Sequence, residues 1–216
     1  MNIDQARKDL FNEIAESLEQ FGFLRRKSGE SFLRIVNSGE QDFYFIVNKR
    51  GVELAVQPRF SIRINSILDI YHKITVKEKE YFQDSAVLEN SLGELMGYVD
   101  TNKEEGTGGA FNYLMKDPND LQILKQVIPL RFQEYVLPYF DKNSSVERVD
   151  FLLNRNPTKL VMHQWLNPER IIMGTIAAKL VGNPRYRELV SIYTDEMKDV
   201  AERYSVEFER LLSYLG

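Results

Sequence analysis

The chain has two histidines, and each lies near a residue that could give it a chemical role. His72 follows Asp69 by three positions, a spacing at which two side chains meet on one face of a helix. A neighbouring carboxylate is one way to tune an imidazole for proton transfer. Because the sequence places no nucleophile beside this pair, we interpret it as a surface pair and predict no catalytic role for it.

The second histidine, His163, lies two positions before Trp165, the single tryptophan of the chain. Here a titratable group and a large aromatic ring occur in one short segment. Such residues anchor ligands and partner proteins, so His163 and Trp165 are the candidate binding residues. The alternative is that both belong to the edge of the hydrophobic core, where Trp and His are also common.

A glycine-rich segment, Gly106–Gly109, has the look of a phosphate-binding loop. The P-loop pattern requires a lysine and a serine or threonine after its last glycine, but Ala110-Phe111-Asn112 follows here. Glu104 and Glu105 precede the glycines and would repel a phosphate. We therefore predict an ordinary loop over Asp100–Gly109.

The sequence lacks the motifs of the common catalytic and cofactor sites. There is no cysteine, which excludes disulfides, thiol catalysis and thiolate metal sites. There is no HExxH or paired-histidine zinc motif, no GxSxG nucleophile elbow and no GxGxxG dinucleotide motif. We therefore predict no catalytic residue, no metal site and no cofactor.

Composition indicates a globular protein that binds neither nucleic acid nor membrane. The 216 residues are 43% hydrophobic and carry a net charge of −4, so no general attraction to polyanions or anionic lipid is expected. The N-terminal segment has no apolar signal region, and no apolar run approaches the roughly 20 residues of a membrane span. We expect a soluble, cytoplasmic protein.

Residues 31–60 contain three runs of β-branched and aromatic residues, separated by turn-forming clusters. These predict an antiparallel sheet. A four-residue loop, Asn48–Gly51, would pair Val47 with Val52, whereas a three-residue loop would shift the register by one. We prefer the four-residue loop because it gathers the apolar side chains on one face. Residues beyond Pro58 predict either a continuation of the third strand or a fourth strand.

An amphipathic helix is predicted ahead of the sheet, with Asn2 as its N-cap and Gly22 as its left-handed C′ residue. Its apolar positions recur at spacings of three and four: Ile3, Ala6, Leu10, Phe11, Ile14, Leu18 and Phe21. This stripe needs a partner, and the apolar face of the sheet is the nearest one. We therefore expect the helix to pack on the sheet.

Beyond the sheet, Tyr81–Leu88 and Glu94–Val99 are the candidates for further strands. From Asp117 onward the pattern is helical, beginning with a capping sequence, Asp117–Asp120. We expect Pro129 to kink or break the first of these helices and Pro138 to end it.

The last predicted helix is a long one, over Tyr186–Leu211, with apolar residues at three-four spacing. We interpret this stripe as packing on neighbouring helices of the same chain. The alternative is a homodimer through the C-terminal helix, since tyrosine is favoured at interfaces.

The predicted fold is α+β: an N-terminal helix packed on an antiparallel sheet of four or more strands, followed by a mainly helical C-terminal half. Residues 1–115 form the helix and sheet, and residues 116–216 form the helical region. We expect the two regions to pack together as one compact unit.

Four features of the sequence resemble a family of uncharacterised bacterial domains that occur beside polymorphic toxins and are suspected immunity proteins. These are the helix end Phe21–Phe23, the strand opened by Phe32, the strand Phe43–Asn48 and the helix start Asp117–Asp120. The resemblance covers about residues 10–140. It implies an α+β fold and a protein partner, and the family has no established catalytic residues to carry over.

The sequence therefore favours a non-enzymatic protein-binding module, an immunity-type inhibitor being the specific form of this hypothesis. An acidic inhibitor suits the basic surface of many toxins that act on nucleic acid. The alternative is a small-molecule-binding protein or enzyme, with its pocket between the sheet and the helical half.

Overall fold

The computed structural model describes residues 3–26, 31–101 and 113–216. In this part of the chain an N-terminal helix packs on a six-stranded antiparallel sheet, and a mainly helical C-terminal half follows. This confirms the predicted α+β class. Asn2 and the glycine-rich segment Gly106–Gly109 lie outside the described residues.

The first helix, α1 (Ile3–Glu19), buries the predicted apolar stripe from Ala6 to Leu18. Gly22 has a left-handed φ of +82°, and its N–H donates to the carbonyl of Glu19 at 2.9 Å. The N–H of Phe23 reaches back to the carbonyl of Leu18 at 3.3 Å. These two bonds make the predicted left-handed helix end.

The sheet has the order β1-β2-β3-β4-β5, with β6 pairing to a second stretch of β4. Its strands are β1 (Leu24–Arg25), β2 (Ser31–Val36), β3 (Gly39–Arg50), β4 (Glu53–Ile64), β5 (Leu88–Ser91) and β6 (Tyr113–Met115). We call the face that carries Phe32, Phe43 and Phe60 the inner face, and the opposite one the outer face.

Both predicted registers of the β3–β4 hairpin are wrong. Val47 pairs with Val56, and the connecting turn has only two residues, Gly51 and Val52. Gly51 has a φ of +64°, which a glycine adopts at no steric cost. The shift from the preferred register is an even number of residues, so the apolar side chains still share one face.

Strand β4 continues past Pro58, as one of the two alternatives predicted. On the side away from β3, β6 pairs with Leu54–Val56 and β5 pairs with Arg59–Ile62. Pro58 lies between these two ladders, at a position where no third strand needs the N–H that proline lacks.

The segment between β4 and β6 differs from the prediction. It contains α2 (Asn65–Ile74), a 3₁₀ helix over Lys79–Asp84, β5, and α3 (Leu92–Thr101). Tyr81–Leu88 is therefore not a strand except at its last residue, and Glu94–Val99 is helical. Ser91 explains the second error, because its hydroxyl accepts from the N–H of Glu94 at 3.2 Å and so caps the helix.

Aromatic rings fill the space between the inner face and the helices that follow it. These helices are α4 (Pro118–Arg131), a π-helical turn (Phe132–Val136) and α5 (Leu137–Asn143). Ring centroids lie 5.0 Å apart for Phe43 and Phe132, and also for Phe60 and Tyr139. The core thus joins side chains from both halves of the chain.

The capping prediction for α4 is confirmed, because Asp117 accepts from the N–H of Asn119 at 2.7 Å and Asp120 completes the capping box. The prediction that Pro138 ends the helix is wrong, since the chain stays helical to Asn143. The π-helical turn lies just before Pro138. Its wider winding leaves room for the proline ring and compensates for the hydrogen bond that proline cannot donate.

The C-terminal region contains α6 (Val146–Asn154), α7 (Asn167–Val181), α8 (Tyr186–Glu196) and α9 (Glu202–Leu215). The single long helix predicted over Tyr186–Leu211 is wrong, because a 3₁₀ turn at Met197–Asp199 and an extended Val200 separate α8 from α9. Leu189, Tyr193 and Phe208 of the predicted stripe are buried within this chain. A homodimer through this region stays a prediction.

Candidate functional site

His163, the first candidate binding residue, is a core residue. It lies in the segment that connects α6 to α7, is fully buried, and has its Nδ1 2.9 Å from the hydroxyl of Tyr139. Burial lowers the pKa of His163 to about 3, and Arg155 and Arg148 act in the same direction. The imidazole is therefore neutral and out of reach of a ligand at the surface.

Trp165, the second candidate, lies at the surface with 60% of its area exposed. The guanidinium carbon of Arg59 is 5.9 Å from the centre of its ring. The two candidates lie in different environments because Gln164, the residue between them, pairs with Glu89 along the edge of β5. The N–H of Glu89 also donates to the carbonyl of His163 at 2.9 Å, which fixes the segment against the sheet.

The Asp69–His72 pair is not brought into hydrogen-bond contact among the described residues. His72 instead stacks on Phe82, with ring centroids 4.0 Å apart and planes 6° from parallel. Partial burial lowers the pKa of His72, and Arg63 adds to this effect. This arrangement is a packing contact rather than an acid–base pair.

The outer face of the sheet is the part of the molecule where polar side chains converge. The register places Asp42 beside Ser61, and Ser61 beside Glu89, across three neighbouring strands. It also places Glu40 opposite Arg63, and Tyr44 between Ser31 and Arg59. Alternation along each strand puts all of these side chains on the face opposite the aromatic core.

A cavity of about 400 Å³ opens over these side chains. We call it the outer pocket, and it lies between the outer face and the segment Gln83–Ala86, at the end of the 3₁₀ helix. Its lining residues are Arg26, Ser31, Asp42, Tyr44, Ser61, Arg63, Gln83, Asp84, Ser85, Ala86 and Glu89.

An ion-pair network occupies one side of the outer pocket. Arg26 lies 3.0 Å from Glu40 and 3.2 Å from Asp42. Arg63 lies 3.4 Å from the same oxygen of Glu40. The network connects the β1 edge with β3 and β4, so it holds the side chains of three strands in one arrangement.

Arg63 also fixes the wall of the outer pocket. Its guanidinium donates to the carbonyls of Phe82, Gln83 and Ser85, at 3.2, 2.6 and 2.5 Å. Burial lowers the pKa of Arg63, while the charge of Glu40 acts in the opposite direction. One side chain thereby ties the end of the 3₁₀ helix and the following Ser85 to the sheet.

Tyr44 and Arg59 both approach Glu89 at the other side of the outer pocket. The Tyr44 hydroxyl donates a short hydrogen bond to the Glu89 carboxylate, and Arg59 lies 3.4 Å from the same oxygen. Burial raises the pKa of Tyr44, as does the charge of Glu89. The phenol therefore stays protonated and acts as a hydrogen-bond donor.

Asp42 is a partly compensated charge of this cluster. Burial raises the pKa of its carboxyl, although Ser31, Arg26 and Arg63 act in the opposite direction. Among the described residues, Oδ1 of Asp42 and Oγ of Ser85 are buried without a hydrogen-bond partner.

The Nε atoms of Arg26 and Arg59 also lack a partner there. Each buried polar atom left in this way costs about 1–3 kcal/mol. Stability alone therefore does not explain the cluster.

Large apolar side chains surround this polar centre on the outer face. Leu24 is 63% exposed, Ile35 67% and Ile46 37%. The sheet register places all three on the same face as Asp42, and Trp165 contacts Arg59, whose side chain is on this face too. We call these four residues the apolar rim.

The predicted location for a small-molecule pocket is the boundary between the sheet and the helical half. Aromatic rings fill its interior, and a cavity of about 490 Å³ lies between Arg34 and Gln41 of the sheet and Phe140 and Ser144 of the helical half. Within residues 3–26, 31–101 and 113–216, no three His, Asp or Glu side chains are grouped so that they could hold a metal ion. None of the helices in these same ranges has the length and apolar character needed to cross a membrane.

Comparison of the chain with protein-family models, with curated proteins and with solved structures gives no match. The function must therefore be argued from the geometry of this molecule.

Proposed function

We propose that this chain is a non-enzymatic protein-binding module, and that its partner docks on the outer face of the sheet. The observation that carries this proposal is the apolar rim, four exposed large side chains around a cluster of charged ones. Monomeric proteins seldom expose apolar side chains together on one face unless that face binds something.

The composition of the outer face supports a protein partner. Interfaces are enriched in aromatic residues and arginine, and their strongest contacts come from tryptophan, tyrosine and arginine. Trp165 and Arg59 already contact each other on this face, and Tyr44 lies next to Arg59 in the sheet register. The Trp165 prediction is thus retained, with Arg59 rather than His163 as its neighbour.

An immunity-type inhibitor is the specific form of the proposal. The net charge of −4 favours a basic partner, since complementary charge accelerates association and fixes orientation. The resemblance of the helix and sheet to domains beside polymorphic toxins points to the same class of partner. The captured partner would then lose its toxic activity on binding.

Affinity capture with matched variants tests the proposal. The wild-type chain is used beside Ile35→Lys, which places a charge on the apolar rim, and Ile123→Lys, which changes another exposed isoleucine on α4. We expect one stoichiometric partner with the wild type and with Ile123→Lys, and its loss with Ile35→Lys. Capture that is equal for all three proteins, or no partner at all, would contradict docking on this face.

The second candidate is a small-molecule-binding protein or enzyme, and the outer pocket favours it. A volume of about 400 Å³ lies within the range of ligand pockets, roughly 300–1,000 Å³. Thermal-shift screening against small polar metabolites distinguishes this candidate, because a ligand that binds only the folded chain raises its melting temperature. Stabilisation that is lost on changing Ser61 or Asp42 would favour the pocket over the rim.

A further inference from the structure

Carboxylates outnumber guanidinium groups around the outer pocket. Asp42, Asp84 and Glu89 line it, against Arg26 and Arg63. Arg26 already pairs with two carboxylates, although its Nε has no partner among the described residues, and Arg63 binds a carboxylate and three main-chain carbonyls. The charge left for an incoming group to meet is therefore negative.

Two oxygen atoms in the pocket wall could accept hydrogen bonds from an incoming cation. Among the described residues, Asp42 keeps one carboxylate oxygen without a hydrogen bond, and the buried hydroxyl of Ser85 has none. Burial raises the pKa of Asp42 despite the two arginines that face it. Because both oxygens of a carboxylate share its charge, a cation in the pocket is attracted to Asp42 whichever oxygen faces it.

The surroundings of the pocket suit a long basic side chain. Lysine and arginine combine an apolar stem with a charged end, and the stem packs on apolar surface while the end reaches a polar site. On this face the apolar rim provides such a surface and the outer pocket provides the polar site.

We propose that the outer pocket receives the charged end of a lysine or arginine side chain from the protein that docks on the outer face, with Asp42, Asp84 and Ser85 as its contacts. This inference rests on the proposed function and names the chemistry of the partner. It assigns to the polar cluster a role in recognition.

The probe is N-acetyl-L-arginine amide, titrated into the ¹⁵N-labelled chain and followed by NMR. We expect saturable shifts of the backbone amides of Asp42, Ser61 and Ser85. The matched control is N-acetyl-L-citrulline amide, which has the same shape without the charge and should cause no saturable shift. Equal shifts with citrulline, or preferential binding of N-acetyl-L-glutamate, would overturn the inference.

Variants at the pocket give a second test. Asp42→Asn and Asp84→Asn remove one charge each, and Asp195→Asn is a control at an exposed site on α8. We expect the arginine probe to bind at least about tenfold more weakly to the first two, the factor for losing a hydrogen bond between charged groups. Asp84 is exposed, so its variant should fold even if Asp42→Asn does not. Unchanged binding to Asp84→Asn and to any folded Asp42→Asn would reject the inference.

The inference and the proposed function fail in different ways. If Ile35→Lys abolishes partner capture but the arginine probe does not bind, docking on the outer face stands and the basic side chain is rejected. If the probe binds at Asp42 but no partner is captured, the pocket is a cation site and the proposed docking is rejected.

Discussion

The hydroxyl of Tyr44 on β3 reaches across β4 to donate a hydrogen bond to the carboxylate of Glu89 on β5. The two residues are not paired in the sheet, since Tyr44 lies opposite Arg59 and Glu89 lies opposite Ser61. A phenol that donates to a carboxylate makes a charge-assisted bond, which is stronger than a bond between neutral groups. This contact links three strands at the edge of the outer pocket.

Tyr44→Phe should therefore lower the free energy of unfolding by about 1.5–3 kcal/mol, the value for a hydrogen bond to a charged group. The ring and its packing are kept, so the change isolates the hydroxyl. Urea denaturation measures it. The control is Tyr214→Phe, because the Tyr214 hydroxyl accepts from an exposed Lys73 and should add nothing measurable. Equal stabilities for Tyr44→Phe and the wild type would mean that the bond to Glu89 has no net value.

Arg170 is a buried cation that holds together the region after α6. Its guanidinium donates to the carbonyls of Leu153 at 3.1 Å and Pro157 at 2.8 Å, and it lies 3.2 Å from Glu196. Arg170→Met should lower the free energy of unfolding by about 3 kcal/mol or more, because these partners lose their donor inside the protein.

The matched control for Arg170 is Arg185→Met, which breaks an exposed ion pair with Glu188 and should leave stability unchanged. Chemical denaturation of both variants provides the comparison. A similar, small loss for both would contradict a structural role of Arg170.

Gly174 marks the closest approach of α7 to α6. A Cβ atom at this position would lie 2.5 Å from Oδ1 of Asn154 and 3.3 Å from Cβ of Leu153. Gly174→Ala should therefore destabilise the chain even though alanine favours a helix, and thermal unfolding should show a lower Tm.

The control for Gly174 is Gly51→Ala, where a Cβ meets nothing within 4 Å and only the φ of +64° opposes it. We expect a cost of about 1–2 kcal/mol there, set by the left-handed conformation alone. A Gly174→Ala protein as stable as the wild type would show that α6 and α7 can shift apart to admit the methyl group without a cost in stability.

Local signals were enough to predict several element ends. The left-handed Gly22 and the capping sequence from Asp117 are encoded within a few residues, and the structure has both. The hairpin register was missed because Val52, a β-branched residue, lies in the turn rather than in a strand. The break after α8 was missed because Met197 continues the apolar spacing through the 3₁₀ turn and is still buried.

The site was less predictable, because it depends on contacts between distant segments. Alternation along a strand predicts which side chains share a face, but not that Arg63 would tie the outer face to Ser85. His163 and Trp165 are near neighbours in sequence, yet Gln164 joins the sheet edge and leaves one in the core and the other at the surface. No spacing rule carries this information.

His163 should make the stability of the chain depend on pH. Burial lowers its pKa from 6.5 to about 3, so between these values the unfolded chain binds a proton that the folded chain does not. The free energy of unfolding should then fall as the pH drops through this window, by at most about 1.4 kcal/mol per pH unit for one proton. His163→Gln removes the titrating group, so its unfolding free energy should change less between pH 6.5 and pH 4 than that of the wild type.

Asp42, whose raised pKa acts in the opposite direction, is present in both proteins, and the difference between them reports His163. The control is His72→Gln, whose imidazole is only partly buried and should give a smaller effect. Parallel pH profiles for His163→Gln and the wild type would show that folding does not lower the pKa of His163.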